Sequence, residues 1–257
     1  MTDVAFPLVS IITPTYNSEE YLEQNIQSIM NQNYENIEHI IVDGGSTDGT
    51  IKIIEKFEAD YDLKWISEPD NGMYDAIEKG FDMASGNIYA WLNSDDMYLP
   101  WAVDIAVEHL TEDGVEWITG HPAHWNEDGV LHYVNPLRPY FRRKWIKKGW
   151  YHGGALGWMQ QESMFWTDEL WNKKGGFPDD AKLAGDYYLW MKFAEMSDLK
   201  QVGTVISGFR EHDDQLTSDM HDYSSEIPDT GIIPKIISFF YIQNMYSLSL
   251  TLLERLK

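Results

Sequence analysis

The first 120 residues alternate between short apolar, β-branched runs and segments whose apolar residues recur at helical spacing, and that alternation narrows the fold more than any other feature. Leu8 to Thr13 reads as a strand ended by Pro14. Asn17, with Glu20 three places on, has the pattern of a capping box, and Leu22, Ile26, Ile29 and Met30 follow on one helical face. Ile37 to Val42 is a second strand, closed by the turn Asp43-Gly44-Gly45-Ser46. Thr47-Asp48 then opens a helix carrying Ile51, Ile54 and Phe57. Leu63 to Ser67 is a third strand. A helix from Met73 puts Ala76, Ile77, Phe81 and Ala84 on one face, and Ile88 to Leu92 is a fourth strand. Strands alternating with helices of this length predict βαβ units and a mainly parallel sheet flanked by helices, an α/β fold.

The second half is less regular. Glu116 to Gly120 reads as a strand, and Ala123–Asn126 with Val130–Val134 as a hairpin whose turn is Glu127-Asp128-Gly129. A helix is expected from Asp186 to about Met196, and a strand from Gln201 to Phe209. With no repeat or linker, the chain reads as one domain in two halves, residues 1–120 and 121–225, with a C-terminal amphipathic helix within 226–257.

At the end of the fourth apolar run stands Asn93-Ser94-Asp95-Asp96. A sheet core needs no acids there. A hard divalent cation carrying phosphate oxygens does, because such ions take oxygen ligands from one or two carboxylates plus the substrate. Open α/β sheets also bind ligands beyond the carboxyl ends of their strands. An acidic turn on an acidic surface is the plainer reading of the same residues.

Charge removes one class of partner. The chain carries 19 basic against 42 acidic residues, a net −23, which argues against a nucleic-acid phosphate track. It has no cysteine, so disulfides and thiolate chemistry are excluded. Met1-Thr2-Asp3 lacks the basic start of a secretory leader. The apolar segment Ile232 to Leu253 is broken by Pro234, Lys235, Gln243 and Asn244, a poor spanning helix. A cytoplasmic location is therefore expected. The basic run Arg138, Arg142, Arg143, Lys144, Lys147 and Lys148 reads either as a solvated helix face or, with the C-terminal helix, as peripheral contact with the cytoplasmic membrane face. Homodimerisation is the other use for that terminal helix.

Taken in order, five stretches resemble the family 2 glycosyltransferases of the GT-A fold: Val9 to Asn17, Ile41 to Thr50, Ser67 to Ala76, Trp91 to Asp96, and Ala184 to Trp190. The resemblance implies transfer of a sugar from a nucleoside-diphosphate sugar to an acceptor hydroxyl, with inversion and with Mn²⁺ or Mg²⁺, in polysaccharide or glycoconjugate synthesis. The acceptor would be a saccharide or a lipid-linked glycan. It places Pro14, Thr15, Tyr16, Asp43, Asp70, Asp75, Asn93 and Asp95 on the nucleotide sugar, with Asp43 accepting from a base N–H. It makes Asp96 and His212 metal ligands and Asp186 the base that takes the acceptor proton. Gln161, Glu162 and Trp190 fall on the acceptor side. The chain departs from the family where many relatives carry Ala-Arg-Asn: it has Ala76-Ile77-Glu78, so diphosphate recognition must rest on metal, backbone and Lys79. Two alternatives stay open, a nucleotidyltransferase and a non-catalytic nucleotide-sugar binding module. Against the first, Thr13 to Asn17 contains no glycine or basic residue with which to wrap phosphates.

Overall fold

A computed structural model describes residues 6–135, 140–152, 156–174, 176–178, 181–213, 215, 223, 225–231 and 233–234. The expected C-terminal amphipathic helix lies outside these residues apart from 226–231 and 233–234, and so does Arg138.

The first half follows the expected order: β1 (Val9–Thr15), α1 (Leu22–Met30), β2 (Ile37–Asp43), α2 (Thr50–Phe57), β3 (Leu63–Ser67), α3 (Met73–Met83) and β4 (Ile88–Trp91). Then come β5 (Met97–Tyr98), α4 (Ala102–Leu110), β6 (Trp117–Thr119), β7 (Ala123–Trp125), β8 (Leu131–Val134) and α5 (Arg143–Ile146). The last elements are β9 (Met164–Thr167), α6 (Asp168–Lys174), α7 (Gly185–Met196), β10 (Lys200–Gln201) and β11 (Ser207–Arg210). A seven-stranded sheet runs β10-β6-β9-β4-β1-β2-β3, and a four-stranded one runs β5-β11-β7-β8. In the large sheet β3, β2, β1 and β4 are mutually parallel, and β9 is inserted antiparallel between β4 and β6.

Continuous apolar runs suit this sheet because both of its faces are covered. On β1, Ile12 packs into one core with Val42, Ile77, Phe81 and Trp91, while Ile11 next to it packs into another with Ile29, Ala102, Ala106 and Phe165. Alternate residues of a strand thus feed opposite layers. Helix α3 approaches β1 closely because residue 80 is glycine; a β-carbon there would collide with Ile12 Cγ2.

Three local expectations are corrected. Strand β1 does not stop at Pro14 but pairs through Thr15 with Asp43, whereas β4 pairs only with Val9 to Ile12. Pro14 lies past the end of β4, where its missing N–H costs no ladder bond on that side. Asn17 does not cap α1, which begins at Leu22 without a side-chain cap. Its φ is 50°, and its Oδ1 accepts from the Thr47 N–H at 2.9 Å, tying two loops together. The strand expected from Gln201 to Phe209 is two, because β10 pairs with β6 whereas β11 leaves to pair with β5 and β7.

Candidate active site at the carboxyl ends of the strands

Strands β1, β2 and β4 end at the same edge of the sheet, so Thr15, Asp43 and the Asn93–Asp96 turn are neighbours by construction. A buried polar rail supports them from below. His39 shares a 2.8 Å hydrogen bond with Thr13, whose hydroxyl also reaches Asn25 Oδ1 at 3.5 Å. Asn25 in turn donates to the carbonyls of Asn93 (2.8 Å) and Asp96 (3.1 Å). Burial holds the His39 imidazole neutral, lowering its pKa to about 3. Asn25 sits on the apolar face of α1, and its polarity on that face was the sequence signal for this rail.

Arg210 locks the turn from the other side. It is fully buried; its backbone N–H donates to Asp96 Oδ1 (2.9 Å) and its Nε to the Asp95 carbonyl (2.5 Å). Its Nη1 donates to the Glu127 carbonyl (2.9 Å) and its Nη2 to Gln24 (2.7 Å), and the guanidinium lies over the Tyr21 ring. Sequence reasoning missed this residue, because an arginine ordinarily reads as surface.

The two acids of the turn are not equivalent. Asp96 is 1% exposed, and its Oδ2 has no partner. Burial, then the fields of Asp95 and Glu162, push its pKa well above the carboxylate range. Asp95 is partly exposed, and its Oδ2 lies 3.1 Å from Nε2 of His212, whose ring packs on Tyr21. Of the two, Asp95 is the more exposed, whereas the unpartnered oxygen of Asp96 lies buried. Among the described residues no three His, Cys, Asp or Glu converge into a complete metal centre. One carboxylate and one imidazole, with unpaired buried oxygens on Asp96 and Asn93 behind them, nevertheless form a donor set that suits a hard divalent ion completed by phosphate.

Of the residues expected on the nucleotide, Tyr16 has an exposed ring (62%), and the hydroxyl of buried Thr15 has no partner. Asp43 is a different matter. Its buried carboxylate accepts from the N–H groups of Gly45 (3.0 Å) and Ser46 (2.9 Å) and from the hydroxyls of Ser46 and Ser67. It shapes the turn beside Tyr16 and is engaged there, not held open for a base. Asp70 accepts from the Gly72 N–H, and its carboxyl lies against Gly44, so glycine at 44 leaves it room. Asp75 accepts from the Asn71 N–H, which, ahead of Lys79, lowers its pKa. Lys79 itself is bound to Glu68 (2.9 Å) and Asp75 (3.5 Å).

Asp186, the expected base, stands in the first turn of α7. Burial raises its pKa to about 6. The Tyr223 hydroxyl donates to its Oδ1 at 3.1 Å, and its own N–H donates to Tyr74 Oη at 3.2 Å. Glu226 accepts from three successive N–H groups, Lys182, Leu183 and Ala184, at 3.0–3.1 Å, fixing the loop that delivers Asp186. Tyr223 and Glu226 carry no motif and were not foreseen.

The remaining acceptor-side expectations meet the core. Trp190 stacks between Trp91 (5.8 Å, 12°) and Trp117 (6.0 Å, 22°), 2% exposed, and offers no face to a sugar. Gln161 donates to the Trp91 carbonyl at 2.7 Å, extending β4. Glu162 is buried as well; burial, opposed by a backbone hydrogen bond and reinforced by Asp95 and Asp186, lifts its pKa to about 8. It stands in reach of both acids and presents no open edge.

A profile described as glycosyl transferase family 2 matches residues 10–171. A glycosyltransferase of Rickettsia typhi, named as uncharacterized, is 30% identical over 223 residues, covering 82% of this chain and 66% of that protein. Chondroitin synthase of Escherichia coli is 25% identical over 77% of this chain, which spans only 28% of the synthase. Among solved structures, S. aureus TarS in complex with UDP-GlcNAc superposes with a TM-score of 0.67 at 19% identity, covering 85% of this chain and 64% of that one. The mannosyltransferase PcManGT of Pyrobaculum calidifontis, in complex with GDP-Man and Mn²⁺, gives 0.60 at 22% identity, over 79% of this chain and 56% of that one.

Proposed function

Because this chain belongs to glycosyl transferase family 2, we propose that it moves a sugar from a nucleoside-diphosphate donor to an acceptor hydroxyl in polysaccharide or glycoconjugate synthesis. The observation that carries the reading is the pairing of the Asp95–His212 couple with a separate, partly buried Asp186, with Asp95 and Asp186 both within the field of Glu162. The donor lies along the strand ends, its base against Tyr16 and its ribose near Thr15 and Asp95. Its diphosphate points at Asp95 and His212.

Among the described residues, the two cations nearest these acids, Lys79 and Arg210, are both engaged. Lys79 is held by two carboxylates, and the guanidinium of Arg210 is spent on Asp95, Glu127 and Gln24. The site therefore suits Mn²⁺ or Mg²⁺, which Asp95 and His212 would hold and which would offset the charge that collects on the leaving group. The acceptor oxygen attacks the anomeric carbon opposite the diphosphate. The bond from that carbon to the diphosphate oxygen breaks, its electron pair leaves with the diphosphate, and the hydroxyl proton passes to Asp186. The product is an inverted glycoside. A carboxylate with a pKa near 6 is a stronger base than a solvated aspartate and is still ionised at neutral pH.

The test is a panel of nucleoside-diphosphate sugars with Mn²⁺ and with Mg²⁺, following the nucleotide product. Release of nucleoside diphosphate is expected. Release of pyrophosphate from a sugar phosphate and a nucleoside triphosphate would place the chain among nucleotidyltransferases instead. Donor binding without turnover under every condition would make it a binding module.

A further inference from the structure

The 42 acidic residues are not spread evenly. Between Asp128 and Glu162 there is none, a run of 33 residues (129 to 161) that holds six of the 19 basic residues. The same run supplies Val130, Leu131, Tyr133, Val134, Tyr140 and Trp158, six of the eleven large apolar side chains exposed among the described residues. Absence of acids, excess of cations and exposure of apolar groups coincide in one segment of a chain whose net charge is −23.

Arg143 is engaged, donating to the carbonyls of Ala194 (2.7 Å) and Glu195 (3.0 Å) at the end of α7. Arg142, Lys144, Lys147 and Lys148 are exposed. Three of them lie over aromatic rings: Arg142 over Trp145 (4.9 Å), Lys144 over the same ring (5.9 Å), and Lys148 over Trp150 (4.8 Å). The hairpin end of the run is as unusual. Every residue of β8 is exposed, on the outer edge of the small sheet. The start of the run and its middle border the candidate site. A β-carbon on Gly129 would meet Met97 and Arg210, next to the Asp95 turn, and one on Gly149 would meet Tyr187, next to Asp186.

We propose that the exposed Val130, Leu131 and Tyr133 together with Arg142, Lys144, Lys147 and Lys148 dock this protein on an anionic phospholipid surface, so that the acceptor side of the site opens onto the membrane. Cations alone would serve a soluble polyanion. Exposed aliphatic and aromatic side chains beside them match the boundary between headgroups and acyl chains, where amphipathic aromatic rings settle. The acidic remainder of the chain is repelled by such a surface, which orients the contact. Screening within about 8 Å at physiological salt lets the local cations prevail. The proposal rests on the glycosyltransferase reading only for what the membrane would carry, an acceptor held by a lipid; the binding is measured without donor or turnover, so the two can fail separately.

The experiment is co-sedimentation of the full chain with vesicles of mixed phosphatidylcholine and phosphatidylglycerol, against vesicles of phosphatidylcholine alone. Binding to the mixed vesicles only, weakening as salt rises, is expected. The variant R142E/K144E/K147E/K148E should lose at least about tenfold in vesicle binding while keeping its circular dichroism and its donor binding. A second variant, L131S/Y133S, leaves every charge in place and should lose binding by a few-fold. No binding to mixed vesicles at low salt overturns the proposal, and so does equal binding to neutral ones. Loss of binding only in the charge variant, with dextran sulfate displacing the vesicles completely, would make the segment a polyanion site and overturn the lipid assignment. Self-association in the absence of vesicles, abolished by the charge reversal, would overturn it in favour of a second copy.

Discussion

Two buried carboxylates at opposite ends of the same sheet have opposite lives. Glu38, near the start of β2, accepts from Ser10 Oγ (2.5 Å), the Ser85 N–H (2.6 Å) and Lys64 Nζ (2.6 Å). Burial pushes its pKa up, but Lys64, Ser10 and Ser85 outweigh that, and the group ends below the ordinary range. Glu162, behind the carboxyl ends of the strands, keeps an oxygen with no partner and is raised to about 8. Asp96 beside it is raised too. One end of the sheet spends its acid on holding strands together. The other keeps acids under-satisfied, a state that costs stability and is relieved by a ligand.

The sharpest way to break this contrast is at Asp186. D186N should lower transfer by ~10²–10⁴-fold and leave donor binding and melting temperature near wild type. Turnover within a few-fold of wild type would remove it from the chemistry. Next in size, H212A should raise the Mn²⁺ concentration needed for half-maximal transfer by about 10–100-fold. An unchanged metal titration would leave Asp95 without its partner.

The two ends should then part in stability. E38Q should destabilise by about 2 kcal/mol near neutral pH, seen in urea unfolding, because the Lys64 and Ser85 donors lose a charged partner. The pH dependences run in opposite directions. Glu38 has a lowered pKa, so its stabilisation is present above the ordinary carboxylate range and is lost as pH falls through its folded value. Glu162 has a raised one, so stability falls as pH climbs from about 4.5 towards 8. E162Q should therefore melt higher than wild type at pH 8–9, by about 4 °C without added metal, and no higher at pH 5. A lower melting point at pH 9 would show that the carboxylate has a partner there. The smallest effect is expected from Y223F. Tyr223 donates to the ionised Asp186, so losing it should move the acid limb of the rate profile upward from about 6 by roughly half a unit.

Strands β1 to β4 were legible because a sheet buried on both faces demands uninterrupted apolar runs, and helices packed on it demand a 3.6-residue rhythm. The acid pair after β4 stood out because an apolar run ended in charge. What the pattern hid was the environment of each polar group. Asp43 reads as an open acceptor until the turn's own donors are seen to occupy it. Trp190 reads equally as a sugar platform or as core, and only its neighbours decide. Which of two adjacent aspartates faces outward depends on a backbone N–H of Arg210, 114 residues away. Tyr223 and Glu226 reach Asp186 and its loop across chain separations that no local periodicity encodes.

The guanidinium of Arg210 has a mechanical meaning. One rigid, planar fork joins the carbonyl of Asp95, the carbonyl of Glu127 in the β7–β8 turn, and Gln24 on α1. If the hairpin tip is tugged, either its bond to the fork snaps or the pull arrives at the backbone beneath Asp95. Whatever presses on that outer strand is thereby felt, through a single side chain, where the diphosphate would be gripped.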